Sequence, residues 1–361
     1  MIKLKTQHNI KLEKKRRRVR RIILFAFGLL LLFTLAGAYL LYRAVMSPNV
    51  QTPDHKTISL YIPSHADFGQ VLDSLYAKHL IVNKKTFEWV ARKKDCKNHV
   101  HAGHYLIKDG MNNNQLTNVL RGGLQTPINI TFNNLHDVDQ LAGCIGKLIE
   151  ADSASISVLL HDKGYVGQLG FNSHTIPALF LPNTYEVYWN MDANAFVSRM
   201  FQEYCNFWNE TRTAKANALN LTPIEVSTLA SIVDKETNKT DEMAKIAGVY
   251  LNRLKSGWLL QADPTLVFIV NDPTMRRVLA SHKEIESPYN TYKHQGLPPG
   301  PICIPSLAAI NAVLNAQQHN YYYFCAKEDL SGYHNFAKTL AEHNRNAAKF
   351  QNALNSRGIW K

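Results

Sequence analysis

Three hydrophobic patterns follow one another along the chain. From Ile22 to Tyr42 the residues are almost all apolar and none is charged, and Arg43 closes the run. At about 1.5 Å per helical residue, such a run covers a bilayer core of about 30 Å, so it predicts a transmembrane helix. Ser47 to Lys56, with two prolines and no periodicity, reads as a linker. A folded unit then begins at Ile58. Ile58-Ser59-Leu60-Tyr61-Ile62 alternates as a strand does until Pro63 stops it. Phe68, Val71, Leu72, Leu75 and Tyr76 recur at helical spacing. A second short helix is expected around Phe87 to Val90, a returning strand at His104 to Ile107 and another helix over Asn114 to Leu120. The plain reading of this small βααβ unit is a spacer, and the sharper one is a carbohydrate-binding module.

The third pattern is a longer mixture of strand and helix periodicities. Thr222-Pro223-Ile224-Glu225 has the grammar of a helix start, with Thr as N-cap, Pro in the first turn and Glu positioned for a capping box. That helix runs through Val226, Leu229, Ala230, Ile232 and Val233 to Glu236. A second helix starts near Thr240, with Asp241 and Glu242 favoured by the dipole in its first turn and Arg253 and Lys255 near its end. Its Met243, Ile246, Ala247, Tyr250, Leu251 and Leu254 are expected to face a core. Ser306 to Gln317 predicts a helix. Tyr321 to Phe324 and Tyr333 to Phe336 predict a hairpin, and Leu340 to Leu354 a closing helix. The fold class implied is α+β, with boundaries at 1–21 for a basic tail, 22–42 for the span, 43–56 for the linker, 57–125 for the module and 126–361 for the larger domain.

The net charge of +13 suggests nucleic acid only until its distribution is read. Residues 1–21 hold ten basic side chains against Glu13, a net of +9, which leaves +4 for the remainder. The basicity therefore belongs to the tail, and no nucleic-acid partner is expected. Lys and Arg before the span, with only Arg43 and Lys56 close after it, place the N-terminus in the cytoplasm and the rest of the chain outside it. Ala36-Gly37-Ala38 also resembles a signal-peptidase site, but the apolar run continues past it through Tyr42, which favours a retained anchor. Cys96, Cys144, Cys205, Cys303 and Cys325 lack the close pairing of a zinc site or a dense disulfide scaffold, while one distant disulfide stays open.

Chemistry concentrates in Leu229 to Thr237. With about 100° per residue, Glu236 falls roughly 50° from the apolar axis of its helix, Asp234 roughly 110° from it, and Lys235 nearly opposite. Glu236 thus sits at the border of a buried face, where loss of water raises a carboxyl pKa towards the range of a general acid. Taken alone, a border Glu is more often a solvated or salt-bridged surface residue. Asp234 reads as solvated or as a partner behind Glu236.

The order of motifs changes that balance. Ala102-Gly103-His104-Tyr105, Phe180-Leu181-Pro182-Asn183-Thr184-Tyr185, Ala230 to Thr237, Val249 to Leu254, Leu260 to Thr265, Ser287 to Tyr292 and Gly296 to Ile302, followed by the Tyr322 to Phe324 strand, together resemble the endolytic murein transglycosylases, the MltG or YceG-like family. The resemblance covers nearly all of the chain beyond the span. It implies a LysM-like module and a catalytic domain. The reaction it implies is internal cleavage of nascent peptidoglycan glycan strands between N-acetylmuramic acid and N-acetylglucosamine, with Glu236 as acid and base and no cofactor or metal. It also implies a place in the cytoplasmic membrane, with the catalytic part periplasmic and peptidoglycan synthases as neighbours. Asn252, Gln261, Asp263, Tyr289, Asn290, Thr291 and Tyr292 are then expected to contact substrate, each with a plain alternative: a solvated helix residue for Asn252, packing for the tyrosines, a turn at Asp263-Pro264. Asp234 and Asn183 depart from the family pattern, which favours Glu236 over Asp234 as the acid and argues against a charge role at position 183. Gly296 to Gly300 reads as a rigid loop along the cleft, and His334 and His343 as structural. The rival function is a non-catalytic, membrane-tethered peptidoglycan-binding scaffold. A third is a regulatory protein that works through its basic tail.

Overall fold

The computed structural model describes residues 2–272, 275 and 277–358. It divides into two compact units, 1–127 and 128–361.

The first unit opens with α1 (Ile2–Met46), one continuous helix that includes the basic tail as well as the apolar run. Its Ile10–Met46 part is long and apolar enough to cross a membrane, and its large apolar side chains are exposed. The module then follows the predicted order: β1 (Ile58–Ile62), α2 (Phe68–Ala77), α3 (Lys84–Lys93), β2 (Gly103–Ile107) and α4 (Asn113–Arg121). The two strands pair antiparallel, with Leu60 opposite Tyr105. Leu60, Ile62, Val71, Leu75, Phe87, Tyr105, Leu116 and Leu120 form its core. Asp67 and Asn112 cap α2 and α4 with capping boxes, each satisfying amides that have no helical acceptor.

Residues 47–56, expected to be a linker, are in part built into the module. Val50 is 3% exposed, and Val50 and Pro48 form bridges to Ile81 and Asn112. The buried Asn49 amide donates to Asn113 Oδ1 (2.6 Å) and accepts from the Asn83 backbone N–H (2.7 Å). Prolines and missing periodicity marked an irregular segment. They did not reveal that its polar groups have buried partners.

The second unit contains β3 (Ile128–Thr131), α5 (Val138–Ile145), α6 (Ser153–His161), α7 (Lys163–Gln168), β4 (Thr184–Val187), α8 (Ala193–Phe207) and α9 (Glu210–Ala218). It continues with α10 (Pro223–Glu236), α11 (Thr240–Lys255), α12 (Asp263–Val270), α13 (Leu307–Leu314), β5 (Tyr323–Ala326), β6 (His334–Ala337) and α14 (Leu340–Ser356). Its strands form two separate antiparallel pairs, β3–β4 and β5–β6, so helices dominate the mixture. One core lies under β3, β4 and α5 to α8. The other is organised by α10, which packs against α11, α12 and α13. Eight consecutive residues of α10, Val226 to Val233, are buried, which explains why it is apolar nearly all round. All five cysteines are free.

Candidate active site

Helix α10 begins on the capping box read from the sequence: Thr222 Oγ1 accepts from the Glu225 amide and the Glu225 carboxylate accepts from the Thr222 amide. Fixed at that end and buried along its length, the helix delivers Glu236 as its last residue, half-buried at the surface of the core. Ser231, one turn and more before, accepts the Ile302 amide on its hydroxyl (2.9 Å) and ties the Gly296–Ile302 loop to α10. The same loop needs a glycine at Gly300 for steric reasons, since a Cβ there would lie 2.0 Å from the His174 carbonyl oxygen.

Glu236 stands where two cavities meet. One, of about 610 Å³, is bordered by His136, Val267, Phe268, Val278 and Ile302 with Lys235 and Arg277. The other, of about 530 Å³, is polar and aromatic, bordered by Tyr250, Arg253, Gln261, Tyr292, Tyr323 and His343 among others. Glu236 and Asp263 belong to the walls of both. Each cavity is of ordinary ligand-site size.

Burial raises the Glu236 carboxyl from its ordinary 4.5 to about 7, with the Asp263 charge acting in the same direction and the Tyr250 hydrogen bond and the Arg253 charge opposing it. The Tyr250 hydroxyl donates to Glu236 Oε1. Tyr250 is itself raised well above its usual range, chiefly by burial and then by the neighbouring Glu236 charge, so it stays a donor. Arg253 is held by two backbone carbonyls, Tyr322 O on Nε (2.8 Å) and Leu260 O on Nη1, and its guanidinium lies near the Tyr250 and Tyr323 rings. It is only 8% exposed, so these bonds fix its position.

The residues expected to contact substrate divide into two groups. Gln261, Asp263 and Tyr292 line the polar cavity with Glu236. Asp263 opens α12, a helix rather than the turn considered for Asp263-Pro264, and accepts the Tyr292 hydroxyl at 2.5 Å. Gln261 holds a left-handed backbone (φ 47°), a conformation that costs a non-glycine residue energy and is concentrated at functional sites. The second group stands behind the walls. Asn252 donates its amide to the carbonyls of His319 and Tyr321. Asn290 is fully buried, donating to Lys283 O and Ile285 O and accepting from the Tyr292 amide. Thr291 bonds the Ala262 amide and Thr265, and Tyr289 packs on Phe268. These four borders neither cavity but hold the segments that do. Asp234 accepts from the Ser306 hydroxyl (2.6 Å) and amide at the start of α13 and does not reach Glu236's cavities.

Tyr250 and Arg253 went unnoticed in the sequence because they sit inside a helix stripe that reads as core. The available signal was their chemistry: a tyrosine hydroxyl or a guanidinium on a buried face needs a polar partner. His334 and His343 border the polar cavity although they read as isolated. His334 is paired with Glu242 (3.0 Å), whereas the buried Nδ1 of His343 has no hydrogen-bond partner among the described residues. Among the described residues no group of three His, Cys, Asp or Glu is arranged to hold a metal.

Known proteins resemble this chain. The chain is 28% identical over 338 residues to a Bacillus subtilis protein named endolytic murein transglycosylase, covering 90% of this chain and 92% of that one. It is 24% identical to a protein of the same name from Streptococcus pneumoniae strain R6, covering 92% of this chain and 66% of the longer relative. A YceG-like protein of Listeria monocytogenes has a similar fold, with a TM-score of 0.53 at 24% identity, over 81% of this chain and 99% of that structure. The YceG-like family model matches residues 60–349, nearly everything beyond the apolar helix, and the chain belongs to that family.

Proposed function

We propose that the chain is an endolytic murein transglycosylase, a lyase of the cell wall, and that Glu236 is its single acid and base. One observation carries the assignment of the residue: a carboxyl raised to about 7 forms the common wall of two adjoining cavities, so a strand lying in both would have a bond in its interior at that carboxyl. An enzyme that trims ends needs a closed side, and an enzyme that cuts internally needs room on both.

With its pKa near 7, Glu236 is protonated in a good fraction of molecules and can donate to the glycosidic oxygen between N-acetylmuramic acid and N-acetylglucosamine. The bond from that oxygen to muramic C1 breaks, and the C6 hydroxyl of the same sugar closes onto C1. The Glu236 carboxylate accepts the C6 hydroxyl proton and is restored as an acid. No water is consumed, and the nucleophile is positioned by the sugar that carries it. Tyr250, which donates to Oε1, leaves the other carboxyl oxygen to carry the proton and stabilises the carboxylate between the two transfers. Gln261, Asp263 and Tyr292, with Arg253 and His343, are the polar groups we assign to binding the sugars.

Further readings follow from the pattern of the whole chain. The α1 apolar run serves as a single-pass anchor in the cytoplasmic membrane, with the basic tail cytoplasmic and the catalytic unit periplasmic. The βααβ module acts as a LysM-like glycan grip, and synthases of nascent strands are neighbours.

The deciding experiment digests purified glycan strands with the full-length chain and weighs the products. Ends formed without water are lighter by one water than the reducing ends left by hydrolysis. The wild type should give internal fragments with anhydro ends, and Glu236→Gln should give none while still binding strands. Turnover by Glu236→Gln would remove Glu236 from this role, and inactivity of a folded wild type would favour the scaffold reading.

A further inference from the structure

Helix α3, which packs beside α1, carries exposed basic side chains and an exposed indole. Asn113, in the first turn of α4, donates from Nδ2 to the Ala44 carbonyl in the last turn of α1 (2.8 Å) and lies 3.1 Å from Thr86 Oγ1 in the first turn of α3. Ala44 is two residues past Tyr42, where the apolar run ends. The start of α3 is therefore two hydrogen bonds from the last turn of α1, just past the end of the apolar run, and both α3 and α4 pack against α1.

Helix α3 turns Phe87, Val90 and Ala91 into the module core. Lys85, Trp89, Arg92 and Lys93 fall on one exposed stripe, at helical spacing. Trp89 is 39% exposed, and Val82 just before the helix is 66% exposed. The only carboxylate of α3, Glu88, is taken by the Tyr76 hydroxyl (2.7 Å). Lys84 and Lys94 also have neighbours, the Tyr76 ring and the Asn114 and Asn118 side chains. Lys85, Arg92 and Lys93 form no ion pair among the described residues.

We propose that the Lys85–Trp89–Arg92–Lys93 stripe, with Val82, lies on the membrane leaflet from which α1 emerges and recognises its anionic phosphate headgroups, a placement that rests on the anchor reading of α1. Two features point to lipid rather than to an acidic protein. The stripe is on a helix packed beside the end of α1, and it combines cations with an aromatic whose ring suits the headgroup level. Each lysine or arginine near an anionic surface contributes about 1 kcal/mol, roughly fivefold in occupancy, so three of them on a tethered module suffice to hold it down. The module is then lipid-seated as well as tethered.

The test places the full chain in nanodiscs whose lipids carry bromine high in the acyl chains, made either with phosphatidylcholine alone or with added phosphatidylglycerol. Subtracting the emission of Trp89→Phe from that of the wild type isolates Trp89. In phosphatidylglycerol discs this signal should fall about twofold or more, as expected for an indole at the interface. It should recover in phosphatidylcholine discs and in the variant K85E/R92E/K93E, with the milder K85Q/R92Q/K93Q as a second variant should the reversal unfold the module. An unquenched Trp89 in phosphatidylglycerol discs overturns the proposal, and equal quenching in both lipids overturns the headgroup recognition. If the anchor reading itself fails, the chain will not remain with the discs at all, an outcome distinct from a retained chain with an unquenched Trp89.

Discussion

A carboxyl held at about 7 by burial makes the fold pay for its own chemistry, and the cost can be measured by removing the charge. In Glu236→Gln the side chain keeps its shape and can still accept the Tyr250 hydroxyl, but it never ionises. Wild-type Glu236 has a folded value of about 7 against an ordinary value of 4.5. Because the folded value is the higher one, folding favours the protonated form. The contribution of Glu236 to stability is therefore fully present below about pH 4.5 and is lost as pH rises through about 7, after which the loss levels off. At about 1.36 kcal/mol per pH unit across that gap, the ceiling is about 3 kcal/mol, and solvent in the adjoining cavities reduces it towards about 2 kcal/mol. Glu236→Gln should accordingly match the wild type near pH 4 and exceed it by about 2–3 kcal/mol at pH 8. Paired urea denaturations of the full-length chains in detergent, followed by near-ultraviolet circular dichroism at a series of pH values, read this difference directly, since contributions common to both chains cancel. A difference that is flat with pH, or one that favours the wild type as pH rises, would refute the burial argument and with it the assignment of a raised acid.

Tyr250→Phe removes the hydrogen bond that lowers the Glu236 pKa, so that value should rise further above its ordinary range. The alkaline limb of kcat/KM should move upward with it, while activity at pH 6 falls through loss of orientation; an unmoved limb would show that the hydroxyl does not act on Glu236. Asn290→Ala should cost about 2–3 kcal/mol in thermal unfolding, because it strips partners from Lys283 O, Ile285 O and the Tyr292 amide. A variant of unchanged stability with a raised KM would instead make Asn290 a substrate contact.

The local elements were largely legible. The capping box at Thr222 fixed where α10 begins, the 3.6-residue stripe of α11 gave its length, and alternation at Ile58 to Ile62 with a return at His104 to Ile107 gave the module hairpin. Each depends on contacts within a few residues, which spacing records. The border position of Glu236 was legible for the same reason, being a property of one helix. The segment at 47–56 was not, since its order comes from Asn49 bonding to Asn83 and Asn113, far along the chain.

Sequence by itself thus determined the apolar span, the helices and hairpins, and a carboxyl at a helix edge, all set by short-range periodicity and by the hydrogen-bonding needs of helix ends. Only the tertiary structure decided which polar residues reach that carboxyl. It brought Tyr250 and Arg253 from α11, Asp263 from α12 and Tyr292 from a loop around it, and it turned Asn252, Asn290 and Thr291 to backbone groups behind the wall. A buried hydroxyl or amide bonds to whatever group packing sets within about 3 Å, and that partner is chosen by the crossing of elements, which no local pattern encodes.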